Sequence, residues 1–377
     1  MKRIFLPISL MFGLIFACSH GSSETGSDGD SGDSSWDSVK SSVSPSVALS
    51  DEFSNPQMLP IATMGWEDGL NVSRDGLHLY ATYIPADFLS FTLNETENQA
   101  NIQYYDRGPH YDMDFDGSSI GVDYPWYHSD IIYASRSSVE EDFSDWNTSD
   151  MKRSVQSEGA ITTVQSDTGI DMCVFTSNEK YLELNNFKYI KDSANNPSGL
   201  GTFLSDTAND GETDQVNTYF VEDNPHLERI SDDILVLFFD SEDRPGGLGL
   251  HDIWYSSSSD NGGTWATPIN VSTVNTADKE HQPHLYYDDT LDLWWLYYSA
   301  YHTDGKLAIY RVYQEADTWD NWSTPELVLS AGTSAGIGEP TLTDEGDLYF
   351  VLIYDNPDGT DYDRYDADPW FVEALVE

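Results

Sequence analysis

Residues 252–271 read DIWYSSSSDNGGTWATPINV, and residues 280–299 read EHQPHLYYDDTLDLWWLYYS. The first piece alternates apolar and polar side chains from Ile253 to Ser256. It turns on Asp260 and two glycines, then leaves through Thr267-Pro268 into Ile269. The second opens on Glu-x-x-Pro and holds two aromatic runs split by Asp288-Asp289. Alternation between turn signals marks half-buried strands. Four such strands make one propeller blade, a sheet that cannot bury both faces alone, so further copies are expected.

Copies are present. Residues 66–83, 157–177, 222–241 and 338–356 each combine an acidic lead-in, a turn and an apolar strand. Counted on Glu67, Glu158, Glu222, Glu280 and Glu339, the spacings are 91, 64, 58 and 59. Residues 307–328 repeat the Asp/Gly turn at an offset of 57, with Asp317 on Asp260 and Trp322 on Trp265. Residues 129–146 are a weaker copy. The expected fold is all-β: one propeller over 51–377 with five four-stranded blades. The count becomes six if 94–127 is a degenerate blade rather than an insertion. Either 370–376 or 53–61 is expected to close the ring.

The formal net charge is −49, from 17 Lys+Arg against 66 Asp+Glu, which repels phosphate and excludes nucleic acid as a partner. Such acidity suits solubility at high ionic strength, and it also offers oxygen ligands to Ca2+. Aromatic residues, at 13%, argue against general disorder. Residues 1–17 join a basic start (Lys2, Arg3) to an apolar run, as in a signal peptide. Residues 19–50 are dominated by Ser, Gly and Asp and are expected to form a flexible tether. Cys173, in IDMCVF, is expected to be a buried small side chain.

Three stretches carry family resemblances. The segment IFAC, ending on Cys18, resembles the bacterial lipobox. That resemblance implies a lipid anchor on Cys18 and, with Ser19 following, an outer-membrane or cell-surface location. The run S-x-D-x-G-x-T-W from Ser258 resembles the Asp box of sialidase-type propellers, a turn remote from catalysis in that family. Here Asp260 would cap backbone N–H groups, Gly262 would supply an unusual φ, and Trp265 would fill space between sheets. The wider repeat resembles TolB-type bacterial propellers over most of 51–377, many of which bind or scaffold.

If the lead-in acids face the channel mouth, they converge there. Converging carboxylates can cleave a glycosidic bond as a pair or hold a hard cation. The pattern loosely resembles five-bladed family-43 glycosidases, which carry an Asp base, an Asp that tunes the acid, and a Glu acid on three blades. The resemblance places Asp68, Asp223 and either Glu280 or Glu339 in those roles. A glutamate recurring in every blade is also what a structural position looks like. A sialidase would need an arginine triad, for which Arg74, Arg136, Arg229 and Arg311 offer no motif.

In DMDFDGSSIGVD, Asp112, Asp114, Asp116 and Asp123 form a DxDxDG calcium-loop candidate. Residues 355–368 form a looser one. Trp294, Trp295, Tyr297 and Tyr298 must alternate across a strand, as core or as a sugar-stacking platform. His226 and His284 share one repeat position, structural or metal-binding. The expectation is a lipid-anchored, extracytoplasmic propeller that binds a carbohydrate or protein ligand at its channel mouth, with Ca2+ support. A glycoside hydrolase with paired carboxylates and a non-enzymatic envelope-assembly scaffold are the alternatives.

Overall fold

The computed structural model describes residues 32–93, 107–109, 129–148, 157–166, 169–181, 184–191, 202–204, 215–359 and 363–375. Helix α1 (Gly32–Ser42) and the short strands β1 (Ser46–Val47) and β2 (Gln57–Met58) come first. Blade I holds β3 (Trp66–Val72), β4 (His78–Ile84), β5 (Asp130–Ser135) and β6 (Asn147–Thr148), with α2 (Phe88–Leu93) after β4. Blade II holds β7 (Glu158–Ser166), β8 (Gly169–Tyr181), β9 (Leu184–Lys191) and β10 (Thr202–Phe203). Blade III holds β11 (Val221–Arg229), β12 (Leu235–Glu242), β13 (His251–Ser258) and β14 (Ile269–Asn270). Blade IV holds β15 (Glu280–Asp288), β16 (Leu293–Tyr301), β17 (Leu307–Tyr313) and β18 (Glu326–Ser330). Blade V holds β19 (Gly336–Leu342), β20 (Leu348–Asp355) and β21 (Tyr365–Val372).

All five sheets are antiparallel, and the molecule is a five-bladed β-propeller. The first strands of the blades pack against one another around the axis. Among the described residues there is no sixth blade: β4 and β5 are neighbours in one sheet, as Thr82↔Ile131 and Tyr83↔Asp130 pairing shows. The long first interval is therefore an excursion within blade I. Asp112, Asp114, Asp116 and Asp123 lie outside the described residues.

Alternate side chains of each strand serve two seams. Val236 and Phe238 pack against Leu285 and Leu296 of blade IV, while Leu235, Leu237 and Phe239 pack against Val174 and Phe187 of blade II. That double burial explains the near-continuous apolar runs of the second strands, each fully buried side chain contributing roughly 1.5–3 kcal/mol. Cys173 is one such residue, its thiol pushed up to about 12 by burial.

Both segments expected at the closure take part. β2 pairs with β21 as the outer strand of blade V (Gln57↔Phe371, Met58↔Trp370), and Phe53 bridges Ala374. β1 adds a fifth strand to blade IV through Ser46↔Ser330. Residues 32–50 are thus not a tether. Their average composition hides one tryptophan and one lysine that dock them. Trp36 is buried between blades IV and V and donates to Asp363 Oδ1 at 3.0 Å. Lys40 reaches Asp366 and Asp368 at 2.8 and 2.9 Å. Residues 1–31, Cys18 among them, lie outside the described residues. No described helix is long and apolar enough to cross a membrane.

The upper face is the one on which β3, β7, β11, β15 and β19 begin. Links between second and third strands leave from the same face, as Val221↔Glu242 and Glu242↔His251 pairing requires. The Asp260 turn lies on the lower face. There Thr264 N donates to Asp260 Oδ1 at 2.7 Å, Ser258 Oγ donates to the same oxygen at 2.8 Å, and Gly262 has φ +82°. Trp265 is half-buried against the seam of blades II and III. Arg74, from blade I, bolts across the lower end of the channel. It pairs with Glu228 of blade III and reaches Leu285 O of blade IV and Asp344 of blade V, both at 3.5 Å.

Candidate active site

Every first strand carries a register shift at an equivalent place (β7 has a second, after Val164), and at that place the first extra residue has positive φ: Gly69 (57°), Ala160 (42°), Asn224 (48°), Gln282 (57°) and Glu339 (60°). Blade I needs glycine there, since a Cβ on Gly69 would sit 2.1 Å from Thr82 Oγ1. This recurring bulge sets the register of the repeat. It shows that Glu339 is equivalent to Gln282, 57 residues earlier, and not to Glu280.

The repeated glutamates are structural. The Thr276 N–H and Oγ1 each donate to Glu280 at 2.7 Å, and Thr218 holds Glu222 and Thr63 holds Glu67 in the same way. Each carboxylate ties the link from the preceding blade to its own strand. Glu280 is thereby removed from the catalytic candidates. Glu67 also faces Asp366 and Asp368 across the seam of blades V and I. Burial and the Asp368 charge push it well above the usual carboxylate range. Lys40 answers this group. Although burial alone would lower its ammonium, Asp366 and Asp368 hold it above its ordinary value.

Seams are also stitched at the bulge. Thr82 Oγ1 accepts the Ala160 N–H at 2.8 Å, Asp240 Oδ2 accepts the Gln282 N–H at 2.9 Å, and Ser299 Oγ accepts the Glu339 N–H at 3.2 Å. At the last seam the corresponding second-strand residue is Val351, which offers no acceptor. The Glu339 side chain takes over. Its Oε2 accepts the Leu70 N–H at 3.1 Å, and its Oε1 accepts from Gln282 Nε2 at 3.1 Å. Burial pushes Glu339 up to about 7.

One residue ahead of the bulge stand Asp68, Gly159, Asp223, His281 and Gly338. Asp68 and Asp223 are buried, and they break the repeat. Trp66 Nε1 donates to Asp68 Oδ2, while Asp68 Oδ1 has no hydrogen-bond partner. Burial, then the Glu339 and Asp223 charges, push Asp68 well above its usual range, which favours its protonated form. Asp223 Oδ1 accepts the Asn224 N–H at 2.9 Å. An axial cavity of about 30 Å3, lined by the bulges, has room for a water or two and not for a sugar ring. A larger ligand must sit above it, at the upper mouth.

Two residues of this rim escaped sequence reasoning. Asp240 stands where blades I and IV have Thr82 and Ser299, and a carboxylate inside LVLFFDS was the signal for it. His251 opens the next strand, 3.6 Å from Asp240 Oδ1 and 3.8 Å from Glu242. His281 is held neutral, its imidazole lowered to about 3 by burial.

The remaining sequence candidates do not gather. Arg136 binds Gly76 O at 2.7 Å, Arg229 binds Asp232 O, Arg311 pairs with Glu52 and Glu326, and Arg74 is the bolt, so no arginine triad exists among them. His226 and His284 meet at a tilt of 53° with ring centroids 4.0 Å apart, and His284 Nε2 accepts the Leu342 N–H, a structural pairing. Four of the carboxylates of 355–368 pair with protein cations: Asp355 with Arg364, Asp363 with Arg107, and Asp366 and Asp368 with Lys40; Asp361 lies outside the described residues. Among the described residues no group of His, Cys, Asp or Glu is arranged to hold a metal ion. Tyr297 and Tyr298 are core on opposite seams, and Trp294 and Trp295 are half-buried.

No family model and no curated protein matches the chain. Solved structures do. The catalytic domain of a Coprinopsis cinerea GH62 α-L-arabinofuranosidase is 11% identical over 88% of this chain and 97% of its own, with a TM-score of 0.49. A thermostable family-43 glycoside hydrolase is 10% identical over 85% and 96%, with a TM-score of 0.46. A protein of unknown function from Dyadobacter fermentans is 9% identical over 85% and 98%, with a TM-score of 0.45. These are likenesses of chain path, and no site residue is carried over from them.

Proposed function

We propose that the protein is a glycoside hydrolase acting on a neutral glycan at the upper mouth of the channel. The observation that supports this reading best is Asp68, a buried carboxyl outside the repeat pattern with one oxygen unpartnered. A carboxyl that keeps its proton near neutrality is what a general acid for a glycosidic oxygen requires. Asp223 is the second carboxylate, acting as base or nucleophile. Glu339 holds the blade I bulge that carries Asp68. The charge of −49 disfavours anionic sugars. Two further parts of this proposal rest on sequence alone: a lipid anchor on Cys18 at the outer membrane or cell surface, and Ca2+ held by Asp112, Asp114, Asp116 and Asp123.

The test is a screen of neutral aryl glycosides and oligosaccharides with the Cys18→Ser chain. Sugar release that falls at least about a hundredfold in Asp68→Asn and in Asp223→Asn, with thermal unfolding retained, is the expected result. A wild type that releases no sugar from any of them sinks the hydrolase. The calcium part fails if EDTA and added Ca2+ leave the melting temperature unchanged.

A further inference from the structure

On the lower face, where β16 begins and β17 ends, blade IV opens a hollow of about 650 Å3. Leu293, Trp295, Tyr313, Gln314, Glu315 and Asn321 line it. Its size lies within the range of small-ligand sites, roughly 300–1,000 Å3. Strand pairing shows that the place departs from the repeat. Trp295 pairs with Tyr313 across β16 and β17. The equivalent pairs are Val236↔Ser257 in blade III and His78↔Ser135 in blade I. Neither serine can stack against a ligand, whereas blade IV has a broad ring at both places.

The two rings are held in position. They meet edge to face at 79°, with centroids 5.7 Å apart. Arg311 covers one face of Trp295, its guanidinium carbon 4.2 Å from the ring centre, and Glu52 and Glu326 pair with that guanidinium. Tyr313 remains 41% exposed. The link after Tyr313 folds back on itself. Ser323 N donates to Tyr313 O at 2.9 Å, Glu315 N to Asn321 O at 3.1 Å, and Gln314 Nε2 to Thr318 O at 3.2 Å.

Apolar ring surface left open on a chain of net charge −49 marks a contact site. The polar lining says of which kind. Two amides and a carboxylate in one hollow offer both donors and acceptors, as the hydroxyls of a sugar do. A cationic partner would need acceptors alone, and an anionic one would be repelled. A neutral sugar suits both halves of the hollow. Its C–H face covers a ring, and its hydroxyls meet the amides.

We infer that this hollow is a binding site for a neutral polysaccharide, on the face opposite the upper mouth, with sugar rings on Trp295 and Tyr313 and hydroxyls met by Gln314, Glu315 and Asn321. The inference goes beyond the hydrolase reading and does not depend on it, since the site holds a glycan whether or not the upper mouth cleaves one. The fixed rings lose little conformational freedom on binding.

Native affinity electrophoresis of Asp68→Asn in gels holding hydroxyethyl cellulose, arabinan, galactomannan or mixed-linkage β-glucan tests it. Adding Tyr313→Ala should weaken binding to the retarding polysaccharide about tenfold. Adding Tyr313→Phe, which keeps the ring, should weaken it less than about threefold, a rescue that a folding defect would not give. Retardation should survive about 0.5 M NaCl, because stacking and neutral hydrogen bonds are not screened. Equal retardation with and without the Tyr313 ring overturns the inference, even where hydrolysis is established. So does retardation by none of the four, or retardation abolished by salt. A wild type that dimerises in sedimentation while Tyr313→Ala stays monomeric overturns it too, since the hollow then seats a second copy. Ring-dependent retardation of a chain that releases no sugar upholds the site and sinks the hydrolase alone.

Discussion

The seam between blades III and IV and the seam between blades V and I do one job with different atoms. At the first, Asp240 on the second strand accepts the bulge amide of Gln282. At the second, Val351 holds the corresponding place, and Glu339 reaches across from its own bulge to Leu70. The difference separates two kinds of departure from a repeat. Glu339 departs to compensate for a lost acceptor, and its oxygens are occupied. Asp68 departs with nothing to compensate for, and one of its oxygens is idle. The proposed function rests on the second kind.

Four tests, some using more than one variant, can break that contrast. The largest effect is expected at Asp68. Asp68→Asn should lower the rate constant for glycan cleavage about a thousandfold, roughly 4 kcal/mol in the barrier. Its denaturant midpoint should hold or rise, because a buried acid is relieved. A variant that loses stability in step with activity would make Asp68 another latch. Next, Glu339→Ala strands the Leu70 amide and the Gln282 side chain and should cost about 3–5 kcal/mol in urea unfolding. A cost under about 1 kcal/mol would remove the latch.

Smaller still, Thr218→Val and Thr276→Val should each cost about 1–2 kcal/mol, since both remove a donor to a buried repeat glutamate. Unequal costs would show that Glu222 and Glu280 are not doing one job, with Arg244 beside Glu222 at 3.4 Å the place to look.

The smallest effect is in pH. Burial raises Glu222 and Glu339 to about 7, so their contribution is full below the unfolded value near 4.5 and is lost as pH rises through 7. Burial lowers His226, His281 and His284, so their contribution is full above about 6.5 and is lost as pH falls below it. Between about pH 6.5 and 8 the buried acids lose their protons in the folded state, and that loss outweighs the remaining gain from histidines that finish titrating in the unfolded chain. Stability there should fall with rising pH by on the order of 1 kcal/mol, and Glu339→Gln should flatten the slope. A wild type whose melting temperature rises across that window contradicts the assignment.

The propeller fold and at least five blades were legible because apolar runs, turns and aromatic residues repeat along the chain; whether 94–127 made a sixth was not. Nor was the register of blade V. Glu339 matched the other glutamates by letter, and only the backbone shows that it stands two residues further on. Asp68 and Asp223 could be named from the loose resemblance to five-bladed glycosidases. Their partners could not, because Asp240 and His251 come from second and third strands that meet the first only through sheet pairing. Order in residues 32–50 was hidden by composition, since Trp36 and Lys40 find their partners more than three hundred residues away.

Arg74 gives the molecule a traffic rule. With its guanidinium barring the lower end from blade I to blades III, IV and V, the channel is a cul-de-sac. On the proposed hydrolase reading no polysaccharide strand could be drawn through it, so a long glycan would be met sideways or at a terminus. Whatever is released would back out by the aperture through which the next chain arrives. Product and substrate would then queue for one doorway, and competitive product inhibition would follow from the architecture.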